Sequence, residues 1–211
     1  MKNQTKPYLI GIAGGSASGK TFFLKSLRSH FNEDEVCIIS QDNYYKPAIY
    51  QVKDEKGVIN FDLPNGVDHA KFMEDVRSLS QNKSIEIQEY MFNQPGVIGG
   101  MITLKPAPVI IVEGIFIFHF KDIREILDLK VFMDSKEDIK LARRLARDVK
   151  ERGVNEEIIL YQWHNHVIPA YNEYLLPYRD DADVIITNNE SFDKGFEIMR
   201  DHIRAVIGIK S

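Results

Sequence analysis

Gly14-Gly15-Ser16-Ala17-Ser18-Gly19-Lys20-Thr21 satisfies G-x-x-x-x-G-K-[ST] at every fixed position. Its glycines let the backbone curl until successive N–H groups, those of Ser16, Ala17 and Ser18 among them, converge on phosphate oxygens. Lys20 brings a mobile positive charge to the outer phosphates, and the Thr21 hydroxyl is of the type that ligates Mg²⁺. A Gly/Ser-rich turn with a stray lysine is the plainer alternative, but the surroundings argue against it. The apolar run Tyr8–Ala13 reads as a buried strand before the loop. After it, Phe23, Leu24, Leu27 and Phe31 recur at helical spacing over Thr21–Phe31. A helix that starts directly after the loop adds the positive end of its dipole, as anion binding requires.

Outward from this loop, short apolar runs alternate with helical patterns. Val36–Ser40, Val109–Val112, Lys130–Met133 and Val184–Thr187 read as further strands. Asp68–Ser80 reads as a helix with Asp68 as N-cap and Phe72, Val76 and Leu79 on one face. The pattern predicts an α/β fold, a doubly wound parallel sheet of the P-loop NTPase type with helices on both faces. The 211 residues fit one domain. Pro47–Asn65 is polar and reads as a long functional loop or small hairpin.

Composition narrows the function. A net charge of −4 argues against a general nucleic-acid binder, so an anionic ligand must be met by local positive charge. No run approaches the ~18 apolar residues of a membrane span, and the short polar start Met1–Lys6 has no signal-like segment. The expected location is cytoplasmic. Cys37, the single cysteine, sits in an apolar run and reads as a packed core residue. The six histidines form no metal-ligand pattern, and His164 and His166 read as structural or surface residues.

Two acidic positions belong with the phosphate loop. Glu113 ends the Val109–Val112 run, and ligands of doubly wound sheets sit beyond the carboxyl ends of strands, so it is expected to hold magnesium directly or through water. Asp42 follows Val36–Ser40 on the same rim. It is either a turn-forming Asp-Asn pair or the carboxylate that accepts a proton from an acceptor hydroxyl. The neighbouring Tyr44, Tyr45 and Asn60-Phe61-Asp62 read as a pocket wall that favours the second role. Lys136–Arg152 is strongly helical. It carries Ile139, Ala142, Leu145 and Ala146 as an apolar stripe, gathers Lys140, Arg143, Arg144, Arg147 and Lys150 elsewhere, and ends at Gly153. A solvated charged face is the ordinary reading of such a helix; an arginine-rich lid over phosphates is the functional one.

The phosphate loop, Ser40-Gln41-Asp42-Asn43-Tyr44-Tyr45, Asn60-Phe61-Asp62-x-Pro64, Val112-Glu113-Gly114-Ile115 and Arg143-Arg144-Leu145-x-Arg147-Asp148 together resemble the uridine/cytidine kinase family, in order and spacing, from about Tyr8 to Thr187. The resemblance implies transfer of the γ-phosphoryl of ATP or GTP, with Mg²⁺, to the 5′-hydroxyl of a ribonucleoside. It makes Asp42 the general base and has Asp62 bind the ribose 2′- and 3′-hydroxyls. Tyr45 and Phe61 would line the pocket, and Gln162 would contact the ribose. Arg147 and Arg152 are assigned to the triphosphate and Arg144 to the substrate side. It further implies an acceptor-binding insertion over about residues 43–100, a lid over about 136–155, and a homo-oligomer, a tetramer. The base-recognition loop departs from the family pattern Tyr-Asp-x-x-x-His-x-Arg. Tyr90 and Phe92 keep the aromatic positions, Met91 replaces the aspartate, and neither the histidine nor the arginine is present, although Gln94 offers an amide. That departure keeps a second acceptor class open, another small alcohol such as a sugar phosphate. A nucleotide-binding regulator is a third reading, and Asp42 argues against it, because a switch needs no acceptor-hydroxyl base.

Overall fold

The computed structural model describes residues 6–92 and 97–208. In chain order the elements are β1 (Tyr8–Gly14), α1 (Lys20–Arg28), β2 (Val36–Ser40), α2 (His69–Ser80), β3 (Ile85–Gln88), β4 (Met101–Leu104), β5 (Val109–Glu113), α3 (Lys121–Arg124), β6 (Leu129–Asp134), α4 (Glu137–Arg152), α5 (Glu156–Gln162), α6 (Ile168–Ala170), β7 (Val184–Thr187) and α7 (Asp193–Ile207). Five strands form one sheet in the order β2-β5-β1-β6-β7, every neighbouring pair parallel.

Strand alternation divides the core in two. Leu9 and Ala13 of β1, with Ile110 and Val112 of β5, face Phe72, Val76 and Leu79 of α2. Ile10 and Ile12, with Ile111 and Val131, face Phe23 and Leu27 of α1 and Met199 and Ile203 of α7. Because both faces are covered, the central strands are apolar at nearly every position. Each buried Ile, Leu or Phe contributes about 1.5–3 kcal/mol relative to exposure. Cys37 is buried in the first cluster, as its apolar run predicts.

The sheet strands and α1, α2 and α4 fall close to where periodicity places them. Asp68 caps α2, accepting from the Lys71 amide at 3.1 Å, and Gly153 ends α4 at φ 62°. The antiparallel pair β3–β4 goes unassigned from sequence. Its one legible sign is the alternation Ile85-Glu86-Ile87-Gln88, buried and exposed in turn. After α5 the chain widens into π turns over Trp163–Val167 and Tyr171–Leu175 on either side of α6. A proline follows each π turn: Pro169 has no N–H to offer the Asn165 carbonyl and Pro177 none to offer that of Glu173, and in each case an α-helical turn would drive the ring into that carbonyl.

Tyr44 corrects the sequence reading. It is a core residue, not pocket wall: its ring lies 4.8 Å from that of Phe72, and its hydroxyl donates to Asp75 at 2.9 Å. Lys71 donates to the other Asp75 oxygen at 2.8 Å. Tyr44→Phe should therefore lower stability by about 1–2 kcal/mol in thermal or urea denaturation, with no change in acceptor KM. A stable variant with weakened acceptor binding would return Tyr44 to the pocket.

Candidate active site

The phosphate loop occupies the carboxyl end of β1. Gly14 and Gly19 sit at φ 152° and 103°, and Ala17, between them, takes the left-handed conformation at φ 60°. A Cβ on Gly14 would strike the Met133 carbonyl, and one on Gly19 would strike the Asn188 side-chain amide, so these two positions exclude larger residues. Gly19 caps α1 without a side-chain hydrogen bond, leaving the first-turn amides directed at the loop's hollow. From behind, the Ser18 carbonyl accepts from Asn188 Nδ2 at 3.0 Å and Ser135 Oγ at 3.3 Å, which pins the loop to the ends of β7 and β6. Lys20 curls back so that Nζ donates to the Gly14 carbonyl at 2.7 Å. Burial lowers its pKa, while Glu113 and Asp42 pull it up and Arg147 pulls it down.

The carboxylates reach this loop through sheet register. Ser40 of β2 lies opposite Glu113 of β5, and Ile12 of β1 lies opposite Glu113 on the other side. The Ser40 hydroxyl donates to Glu113 and also accepts from the Asp42 amide at 3.2 Å, tying both acidic residues to one strand end. Burial raises the Glu113 carboxyl to about 7, assisted by the Asp42 charge and opposed by Lys20. Asp42 is likewise raised by burial and drawn back down by Lys20, Arg152 and Arg147. Glu113, raised by burial and by the neighbouring Asp42 charge, is a donor suited to a divalent cation that would favour its ionised form. Thr21, exposed in the first turn of α1, offers a hydroxyl. Among the described residues no three His, Cys, Asp or Glu side chains gather as a metal cage; Mg²⁺ bound with nucleotide needs none, taking one or two carboxylates and completing its shell with phosphates and waters.

Four aromatic rings form the next wall. Tyr45 lies 5.9 Å from Phe61, 5.6 Å from Tyr90 and 5.5 Å from Phe92, and Tyr90 lies 4.7 Å from Phe92. The Asn43 side chain accepts from the Tyr90 amide at 3.1 Å, holding the segment after β3 against the end of β2. Asp62 is half-buried. Burial raises its carboxyl, and Arg144, His166 and Arg147 oppose the rise. Gln94 lies outside the described residues.

Helix α4 turns its charged side inward. Lys140, Arg144 and Asp148, four residues apart, are its buried positions, while Ala142, Ala146 and Val149 face outward. Arg144 donates to Ser16 Oγ at 3.2 Å and to Gln162 Oε1 at 3.4 Å, so it touches the phosphate loop as well as the acceptor side. The sequence reading gives Asp148 no role of its own, yet it organises the helix. It meets Arg147 Nε at 2.7 Å, Arg144 Nε at 3.4 Å and Arg152 at 3.4 Å. Its spacing from Arg144 and Arg152, four residues each way, is the signal that could have found it. The Arg152 guanidinium also lies 5.3 Å over the Phe92 ring, joining the arginines to the aromatic wall.

A phosphate loop, two carboxylates on the same rim, an aromatic wall and inward arginines share one cleft. The sequence pattern of the Phosphoribulokinase / Uridine kinase family matches residues 9–193. The chain belongs to this family. It is 35% identical to the uridine kinase of Lactobacillus helveticus over 96% of both chains. It is 33% identical to uridine-cytidine kinase B of Dictyostelium discoideum, covering 97% of this chain and 84% of that one. The fold is shared with a putative fructose transport system kinase from Silicibacter sp. TM1040, at TM-score 0.69 and 17% identity over 88% of this chain and 92% of that one. Family membership makes this an ATP-dependent phosphotransferase acting on a hydroxyl group. Among the described residues no helix is long and apolar enough to cross a membrane.

Asp148 carries a prediction. Asp148→Asn leaves three guanidiniums close together without a counter-charge and should cost about 3 kcal/mol in the nucleotide-free protein. Saturating ATP should recover part of that loss, because phosphates can supply the missing negative charge. Differential scanning fluorimetry with and without ATP reads both effects; an apo variant as stable as the parent contradicts the hub.

Proposed function

We propose that the chain is a nucleoside kinase that transfers the γ-phosphoryl of ATP or GTP to the 5′-hydroxyl of a ribonucleoside, uridine or cytidine, giving the 5′-monophosphate. One observation carries the reading. Asp42 follows β2 with its amide tied to Ser40, which donates to Glu113, and its carboxylate lies within electrostatic reach of Lys20 on the phosphate-loop side and of Tyr45 in the aromatic wall. A carboxylate held there meets a hydroxyl entering from the wall side as it approaches the γ-phosphate. The relatives named uridine kinase and uridine-cytidine kinase support the nucleoside over a sugar phosphate as acceptor.

In this reading the amides of Gly14–Thr21 cradle the phosphates, and Lys20 leaves the Gly14 carbonyl to reach the outer ones. Thr21 and Glu113 hold Mg²⁺, which when bound neutralises phosphate charge. Tyr45, Phe61, Tyr90 and Phe92 enclose the base, while Asp62 and Gln162 take the ribose hydroxyls. Asp42 accepts the 5′-hydroxyl proton as the oxygen attacks phosphorus and the bond to the nucleoside diphosphate breaks. Its raised pKa makes it a stronger base than an exposed aspartate. Arg147, Arg152 and Arg144 close over the transferring group, stabilise its charge and exclude water, which suppresses hydrolysis. A lid over residues 136–155, an acceptor insertion over 43–100, a homotetramer and a cytoplasmic location complete the proposal.

Asp42→Asn tests the reading. The amide keeps the hydrogen bond but takes no proton, so kcat should fall by roughly 10²–10⁴ while KM for ATP stays within about twofold. Steady-state kinetics with uridine and Mg·ATP read both quantities. A comparable loss of ATP binding would move Asp42 to the metal site and remove the base from this proposal.

A further inference from the structure

Asp54 lies outside the site described above, yet every acceptor position of its carboxylate is used. Oδ1 accepts from the backbone amides of Lys56 and Val58, each at 2.9 Å. Oδ2 accepts from the Tyr161 hydroxyl at 2.8 Å and lies 2.8 Å from Nε2 of His166, a residue only 2% exposed. The first pair of bonds shapes a turn. The Asp54 amide donates to the Val58 carbonyl, the Asn60 amide to Val52, and Lys53 bridges Ile59, so residues 52–60 form a small hairpin. The second pair fastens that hairpin to the helical segment more than a hundred residues further along the chain. Lys56 closes the contact, its ammonium 4.5 Å over the Tyr161 ring.

Both ends of this arrangement lead into the acceptor pocket. Phe61 and Asp62 follow the hairpin directly, and the Asp62 amide donates to the Asn60 side chain at 2.9 Å. At the hairpin's base Gln51 donates to the carbonyls of Lys46 and Gly66, at 2.8 and 2.9 Å. On the far side, Gln162 follows Tyr161 and accepts from Arg144. Asp62 and Gln162 thus sit on separate elements whose spacing is set where Asp54 meets Tyr161 and His166. His166 also stands within electrostatic reach of Asp62. Gln51 anchors the base of the hairpin, and the side-chain hydrogen bonds from its tip to the rest of the chain are those of Asp54, with Lys56 adding its contact to the Tyr161 ring.

We infer that Asp54 is a positioning residue for the acceptor: by clasping Tyr161 and His166 it fixes the hairpin that leads into Asp62 relative to the helical segment that carries Gln162, so that both can meet a ribose cis-diol. This rests on the reading of Asp62 as the diol ligand. Asp54 touches neither substrate, so its loss acts through Asp62. A carboxylate displaced by a fraction of an ångström loses the paired bonds to two adjacent hydroxyls before it loses contact with one. The distinguishing consequence is selective. Misplacing Asp62 weakens ribonucleosides more than 2′-deoxynucleosides, whereas a merely structural defect weakens both alike and weakens ATP as well.

The experiment compares KM and kcat for uridine and 2′-deoxyuridine in the full chain, in Asp54→Asn and in the milder Tyr161→Phe, with KM for ATP and the melting temperature measured alongside. The parent should prefer uridine in kcat/KM by about a hundredfold or more, as sites built to bond a hydroxyl do. In Asp54→Asn that preference should fall by about tenfold through a raised uridine KM, with KM for ATP within about twofold. Tyr161→Phe removes one of the two clasping donors and keeps the fold's other contacts, so it should shift the preference the same way by about two- to threefold. If Asp54→Asn does not fold, Tyr161→Phe alone decides between the clasp and its absence. A parent that turns over both nucleosides equally removes the diol role of Asp62 and this inference with it. A parent that discriminates, with Asp54→Asn and Tyr161→Phe discriminating as well, overturns the clasp alone.

Discussion

Parallel register is the constraint on which the rest of the molecule depends. β2, β5 and β1 lie side by side with Ser40, Glu113 and Ile12 level with one another. The turns that follow all three strands therefore open on one rim. A one-residue slip would turn each strand's alternate side chains to the opposite face. Ile10 and Ile12 would be set against α2, and Glu113 would leave the hydroxyl of Ser40. The sheet's apolar pattern and the cleft's chemistry thus enforce the same pairing. Asp42, two residues beyond Ser40, inherits its position from it, and the phosphate loop inherits its own from Gly14 at the end of β1.

The second organising feature is how an acidic chain assembles positive charge. Its net charge is −4, yet Lys20, Arg144, Arg147 and Arg152 converge on one cleft. Such a cluster is self-repelling, and Asp148 makes it tolerable by meeting all three guanidiniums at once. Asp42 and Glu113 perform the corresponding service for Lys20. Burial raises both carboxyls, and the Asp42 charge raises Glu113 further, while the neighbouring cations pull them back toward the ionised form. A triphosphate with its cation exchanges these internal pairs for external ones, which costs less than creating charge contacts in an empty apolar site.

The phosphate loop, the alternation of strands and helices, and the carboxylates at strand ends were legible in the sequence because each is encoded within a few consecutive residues. Tyr44 and Tyr45 show where that stops. They are adjacent and alike, and only the way the chain turns after β2 sends one ring into the core against Phe72 and leaves the other facing Phe61, Tyr90 and Phe92. Helix α4 was legible as a helix with an apolar stripe and a gathered positive face, but which of its positions are buried was not. The structure buries Lys140, Arg144 and Asp148, with Arg144 bonded to Ser16 and Gln162 and the Lys140 ammonium over the Tyr171 ring. The bonds of Asp54 to Tyr161 and His166 span more than a hundred residues and leave no periodic trace. His166 reads with His164 as a structural or surface residue, and only the hairpin opposite it shows its partner.

The direct readout of acceptor identity is ADP release in a coupled assay with Mg·ATP, offered uridine, cytidine, ribulose 5-phosphate or no acceptor. An aromatic wall beside Asp42 predicts turnover with uridine or cytidine far above the acceptor-free rate, together with formation of the 5′-monophosphate. Turnover confined to the sugar phosphate, or ADP release that ignores the acceptor altogether, would contradict the nucleoside kinase assignment.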